Sequence, residues 1–370
     1  MVFSRERLFE PFFDALGALV KKGDSMLKRC VSAVGFLSAV VLLAAPLWGA
    51  SAEEFYRGKT IRFIVGFAAG GGFDTYTRMI ARHFGKHVPG NPSTLVENMT
   101  GAGSMIAANH IYNRAEPDGL TVGNFIGPLV LQQFLGNPGA QFDGRKFGWL
   151  GVPTPDSGVC ALTKASGINT VEDWLASKRP IKLGGTAPGS TTDDGPKLVS
   201  AAIGLPIQLI SGYKGTADIR LAADGGEIDG GCWAWESVKP TWAKGIESGA
   251  VNIVLQTMFE SHPELKQVPL AIKYAKTEDA RELLRVVNGP YGVLARPYSV
   301  PPGTPKDRLD ILQKAFMATI RDPALLAESE KAKLDFKPTD GPTAAKMFAE
   351  IYEMKPAIVA RLKDVLLPKK

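Results

Sequence analysis

TIRFIVGFAAGGGFDTYTRMIARHF, Thr60 to Phe84, reads as a strand, a glycine turn and a helix in immediate succession. Ile61–Gly66 is the strand, a short apolar run that ends at a turn signal. It enters the loop Ala68-Ala69-Gly70-Gly71-Gly72, where the absence of side chains lets backbone approach another group closely. Tyr76, Met79, Ile80 and Phe84 recur at helical spacing, so a helix is expected over Asp74–Lys86 with Asp74 as its N-cap. A helix start carries free N–H groups and a partial positive charge. Strand, turn and helix together therefore make a candidate anion site.

The alternation continues outward from this unit. Ser93–Glu97 and Leu120–Ile126 read as strands, with a helix over Ser104–Arg114 between them. Further strands are expected at Ile181–Gly184, Pro206–Ile210, Ile228–Trp233 and Asn252–Gln256. Helices near Asp194–Ala202, Thr216–Ala223 and Glu236–Glu247 separate them, and Thr170 reads as the cap of a short helix with Glu172 and Asp173 in its first turn. The pattern predicts an α/β fold with parallel-rich sheets. From Thr304 onward the chain reads as helix, with starts at Pro305, Asp322-Pro323, Gly341-Pro342 and Lys355-Pro356. These helices are expected to pack on the first sheet. Gly158–Thr163 and Tyr291–Pro297 read as crossings between two lobes. Lobe one is then 53–157 with 293–370, lobe two is 158–292, and a ligand is expected in the cleft between them.

Residues 1–52 read as an upstream extension and a signal peptide. Lys28 and Arg29 precede an apolar run from Val31 to Ala45, and Ala50-Ser51-Ala52 forms a small-x-small site, so cleavage is expected after Ala52. Met26 just before the basic pair is the expected start, with an uncleaved anchor as the competing reading. The apolar run is short for a membrane span, and Cys30 is not set in a lipid-attachment motif. Export to the periplasm follows. Removing six Lys/Arg and four Asp/Glu with this segment leaves 318 residues at a formal net charge of +4. That mild bias, without a basic block, argues against nucleic acid as a partner and suits an anionic ligand. Only Cys160 and Cys232 remain after cleavage, and one disulfide or two buried thiols are both open.

Three glycine-rich loops follow strands and lead into helices. The first supplies Ala69, Gly70, Gly71, Gly72 and Asp74 as candidate ligand contacts. The second supplies Asn98, Gly101, Ala102, Gly103 and Ser104, and the third Thr186, Gly189, Ser190, Thr191 and Asp193. Each alone is also an ordinary turn that needs glycine for positive φ. One helix end contributes only about 0.3–1 kcal/mol to an anion. Micromolar binding needs about −8 kcal/mol, so several loops closing together are required. Asp193 and Asp194 either cap their helix or meet a cationic group, and Asp74 carries the same ambiguity. Catalytic and metal patterns are absent. Gly58-Lys59-Thr60 ends like a phosphate loop, but Glu53 stands where its first glycine belongs and a strand follows. His83 and His87 are four apart, yet no glutamate follows His83 and Gly85 lies between, so a surface pair is expected. His110 and His262 complete the histidines, and no nucleophile elbow or triad spacing occurs. No catalytic residue, metal or cofactor is assigned.

In order along the chain come Ile61-Arg62-Phe63-Ile64-Val65, the turn through Asp74, Glu97-Asn98-Met99-Thr100-Gly101-Ala102-Gly103 and Pro117-Asp118-Gly119-Leu120-Thr121. Tyr213-Lys214-Gly215, Gly226-Glu227-Ile228-Asp229 and Pro301-Pro302-Gly303-Thr304-Pro305 follow. Over essentially the whole exported chain this resembles the Bug family, the periplasmic solute receptors of tripartite tricarboxylate transporters. The resemblance implies a two-lobed periplasmic-binding-protein fold of type II that closes on a small carboxylate. It implies a non-enzymatic, monomeric receptor whose partners are the membrane components of such a transporter. It adds Tyr213 to the candidate site. A sensor that partners a membrane kinase and a periplasmic enzyme on the same fold are the alternatives. The chain departs from the family in its first turn, which has Ala68-Ala69 in place of prolines, in Asp193-Asp194, and in Gly231-Cys232-Trp233-Ala234-Trp235. Trp233 or Trp235 either reaches the cleft or fills lobe two, and Trp233 is taken as a ligand contact.

Overall fold

A computed structural model describes residues 52–367. The expected signal peptide and upstream extension lie outside the described residues.

The strands are β1 (Thr60–Val65), β2 (Ser93–Asn98), β3 (Thr121–Asn124), β4 (Gly148–Val152), β5 (Gly158–Thr163), β6 (Ile181–Gly185), β7 (Ile207–Ser211), β8 (Gly230–Ala234), β9 (Val251–Gln256), β10 (Tyr298–Val300) and β11 (Thr339–Asp340). They form two sheets, one ordered β11-β4-β10-β3-β1-β2 and one ordered β7-β6-β8-β5-β9. A lobe is built on each. The expected parallel pairs are present, with β1 beside β2 and β3, and β6 beside β7 and β8. Both sheets are mixed, however, because the chain reverses direction where it crosses. β10 and β4 run antiparallel in the first sheet, and β5 runs antiparallel to both its neighbours in the second.

The opening unit forms because its apolar residues have somewhere to go. Ile61, Phe63, Ile64 and Val65 are buried, and Tyr76, Met79, Ile80 and Phe84 bring the buried face of the following helix onto them. That helix spans Gly72–Phe84 with Gly71 as N-cap, so Asp74 sits inside the first turn and is not the cap. The reason is local: the Asp74 carboxylate accepts from the Gly70 N–H at 2.9 Å, folding the loop back over the helix start. Thr170 does cap its helix, in a reciprocal pair with Asp173. The helix expected over Glu236–Glu247 is two, Trp235–Thr241 and Ala243–Glu247, broken at Trp242, whose backbone leaves the helical range.

Gly158–Thr163, read from sequence as a crossing, is the strand β5 inside the second sheet. The crossing is the short stretch before it, where the Asp156 N–H donates to the Gly292 carbonyl of the returning chain at 2.9 Å. Within the second sheet Cys160 faces Cys232 across β5 and β8, and the two are joined as a disulfide. The helix Lys306–Ile320 packs on β4 and on Gly72–Phe84, as expected of a C-terminal cover. The last helix, Pro356–Leu366, does otherwise. It lies against both Leu129–Leu135 beside the first sheet and Thr191–Ile203 beside the second, burying Leu362 and Leu366. No helix among the described residues is long and apolar enough to cross a membrane.

Candidate functional site

Three helix starts converge on one cavity between the lobes. Gly71, Gly72 and Phe73 open the helix Gly72–Phe84 of the first lobe. Ser190, Thr191 and Thr192 open Thr191–Ile203, and Thr216 opens the helix Thr216–Asp224, both of the second. The space they border measures ≈ 420 Å³, its open mouth included. Phe67, Ile126 and Trp233 supply apolar wall, and Asp156, Ser237 and Arg296 close the hinge end. A second space of ≈ 570 Å³ lies alongside, bordered by Gly101–Ser104 and by Tyr213 and Lys214. Phe67 and Thr186 border both.

The glycines have a function that sequence spacing does not reveal. A Cβ at Gly71 would stand 3.1 Å from Thr216 Oγ1 of the opposite lobe, and one at Gly72 would overlap the Ser237 side chain. At Gly103, where φ is +59°, it would press on Ser190 and Ala187 at 3.2 and 3.3 Å. Gly189 meets Gln132, and Gly215 meets Ala68, again across the interface. The Ala68 N–H also donates to the Lys214 carbonyl at 3.1 Å. These glycines let the backbone of one lobe approach the other lobe closely, mostly against its side chains.

The acidic candidates turn away from the main cavity. The Asp74 carboxylate accepts from Arg78 Nε and Asn98 Nδ2 at 2.9 Å, and Asn98 Nδ2 also donates to the Phe67 carbonyl at 2.8 Å. Burial works to raise the Asp74 carboxyl, but Arg78, Gly70 and Asn98 outweigh it and hold the group below the usual range. Asp74 and Asn98 thus fix the shape of the first loop. Asp193 accepts from Ser211 and Ser190. Asp194 is fully buried and accepts from Gln132 Nε2 at 2.6 Å, Tyr291 Oη at 2.7 Å and the Gly189 N–H at 3.1 Å. Gln132 belongs to the helix Leu129–Leu135 and Tyr291 to the returning hinge segment, so Asp194 joins three parts of the molecule. Burial pushes its carboxyl up to about 6 against those donors. Tyr213 donates its hydroxyl to Glu227 at 2.7 Å.

Of the residues singled out in the sequence, Gly71, Gly72, Thr186, Ser190, Thr191 and Trp233 border the main cavity. Gly101, Ala102, Gly103, Ser104 and Tyr213 border the second, while Ala69, Gly70, Asp74, Asn98, Gly189 and Asp193 border neither. Trp235 points elsewhere, its Nε1 donating to Glu264 at 2.8 Å. His83 and His87 each face a carboxylate of the C-terminal helices, Glu328 and Asp322 respectively.

Arg296 was not singled out, although it is a lone charge in the apolar segment Tyr291–Pro297. It is 1% exposed. Its Nε pairs with Asp156, its Nη2 donates to Ser237 Oγ at 2.9 Å, and its guanidinium lies 5.0 Å from the ring centres of both Phe73 and Tyr76. Burial works against the charge, but Asp156, Tyr76 and Glu236 together outweigh it and hold the guanidinium above its usual range. Burial also pushes Asp156 up to about 6, against the pull of Arg296.

No family model matches the chain. A "UPF0065 protein in gbd 5′ region" of Cupriavidus necator is 26% identical over 344 residues, which is 88% of this chain and 94% of that one. The solved structure of the periplasmic binding protein BugD superposes with a TM-score of 0.68 at 21% identity, over 85% of this chain and all of that one. MatC of Rhodopseudomonas palustris, solved with bound malate, gives 0.65 at 18% identity over 83% of this chain and 99% of its own. A second Rhodopseudomonas palustris protein, solved with adipate, gives 0.64 at 19% identity over 83% and 96%. The two-lobed fold is that of the periplasmic binding proteins, and the resemblance read from the sequence motifs is borne out.

Proposed function

We infer that this chain, with its likeness to the Bug-type periplasmic binding proteins, is a solute receptor that captures a small carboxylate between its lobes. The observation that carries the reading is the convergence of three helix starts, from Gly71, Ser190 and Thr216, on one cavity shared by both lobes. Each brings unsatisfied N–H groups and partial positive charge, and together they reach what one helix cannot. Malate and adipate in the related structures are of the same chemical class. The side chains that could serve as acid or base, Asp74, Asp193, Asp194 and Tyr213, are each engaged in hydrogen bonds within the protein. That arrangement favours holding a ligand over transforming it.

The lobes of the proposed receptor are 53–157 with 293–370, and 158–292. Export to the periplasm, a monomeric state and delivery to the membrane components of a tripartite tricarboxylate transporter complete the reading. Native mass spectrometry of the exported protein purified from cells tests it. The expected result is one intact carboxylate per chain, recovered unchanged after incubation. Chemical turnover of the released compound, or a mass matching no carboxylate, would refute the receptor assignment.

A further inference from the structure

The cavity holds three hydrogen-bond donors that the rest of the protein does not use. Arg296 Nη1, Trp233 Nε1 and Thr191 Oγ1 are all buried, and none has a hydrogen-bond partner among the described residues. All three side chains border the same cavity. They come from separate parts of the chain: the returning hinge, β8 and a helix start. Their lack of partners is therefore not one local defect. The contrast with neighbouring tryptophans is informative. Trp235 Nε1 donates to Glu264 and Trp242 Nε1 to Asp224, both onto carboxylates. Trp242 is stacked on Trp233 with ring centres 5.7 Å apart, yet only Trp233 is left unpaired.

Arg296 is held as if for a purpose. Asp156 takes Nε, Ser237 takes Nη2, and Phe73 and Tyr76 bracket the guanidinium plane, so Nη1 is the one edge left over. Buried donors left unmade are costly, and native proteins carry few of them. A cluster of two N–H donors and a hydroxyl, one of the N–H groups belonging to a guanidinium, complements a group that only accepts. A carboxylate is such a group.

We propose that Arg296, Trp233 and Thr191 form the anchoring subsite for the ligand's carboxylate. They grip it by direct side-chain donation, Arg296 from one lobe and Trp233 and Thr191 from the other. The inference rests on the receptor reading and deepens it. Asp156 is a positioning residue: it lines the same cavity, pairs with Arg296 Nε and so fixes where Nη1 stands.

The test is isothermal titration calorimetry of the exported chain with malate, adipate and benzoate as probes, repeated with Trp233→Phe, Thr191→Val and Arg296→Lys. Thr191→Val deletes one donor with little change of shape, Trp233→Phe deletes one together with part of a packed ring, and Arg296→Lys keeps the charge that Asp156 faces. For the probe that binds, each of the first two is expected to weaken affinity about tenfold, and Arg296→Lys more. Thr191→Val is expected to leave the melting temperature of the ligand-free protein unchanged or higher, since an unpaired buried donor is removed with little change of volume. If the wild type binds a carboxylate and the three variants bind within about threefold of it, the subsite is wrong and the receptor reading stands. If affinity and ligand-free melting temperature fall together in Thr191→Val, that hydroxyl is structural support and the subsite is equally overturned. If the wild type binds none of the three probes, both readings fail.

Discussion

Asp194 is the residue on which the closed arrangement depends most directly. Its carboxylate is shared among Gln132, Tyr291 and the Gly189 N–H, so it touches both lobes and the hinge at once. Burial raises it from 3.8 to about 6 in the folded protein. The folded state therefore holds this proton more tightly than the unfolded state does. The stability that Asp194 contributes is full below about pH 4, falls as pH rises from about 4 to about 6, and is constant above that. Asp194→Asn cannot titrate. Measured by calorimetric melting across pH, the variant should gain on the wild type between about pH 4 and 6 and then run parallel to it. A difference independent of pH would refute the assignment. Sequence reading asked whether Asp193 and Asp194 serve the ligand or the helix, and the Gly189 N–H is a helix-start contact of the kind it anticipated. Two further partners of Asp194 lie 62 and 97 residues away in the chain, a distance that no spacing rule spans.

At the scale of elements, most of the fold was legible because it follows from period and punctuation. The strand–glycine–helix units at Ile61, Ser93 and Ile181 are each an apolar run, a turn signal and a helical repeat, and each is found within a few residues of its expected place. What escaped is what packing decides. β4 and the helix Glu278–Asn288 were not expected, and β5 was taken for a linker because an apolar run looks the same in a crossing and in a central strand. The glycine loops were read as cradles for an anion. Their sharper constraint is the opposite lobe, since a Cβ at Gly72 or Gly103 meets Ser237 or Ser190 before it meets any ligand. Gly72→Ala and Gly103→Ala should therefore weaken carboxylate binding about tenfold or more by titration calorimetry, by holding the lobes apart. Gly195→Ala, in the middle of a helix with nothing within 4 Å of the new methyl, should bind as wild type does and melt no lower. Equal affinity in all three would remove lobe contact as the reason for these glycines.

For the molecule as a whole, the last helix matters beyond its size. Pro356–Leu366 packs on elements of both lobes, so it resists the opening that two short crossings would otherwise permit. A chain ending at Lys355 should have a larger radius of gyration in small-angle scattering without ligand, and should bind a carboxylate more weakly. An unchanged radius would make the helix a bystander. Sequence reading placed all the C-terminal helices on the first sheet, because an apolar stripe declares that a helix is covered and not what covers it. The glycines at 71, 72, 103, 189 and 215 carry one more consequence. Each sets a bare stretch of main chain against the other lobe, so the gap between the lobes works like a calliper whose closed reading is fixed by the missing Cβ atoms. A guest in the proposed receptor would then be gauged by its thickness before its charge.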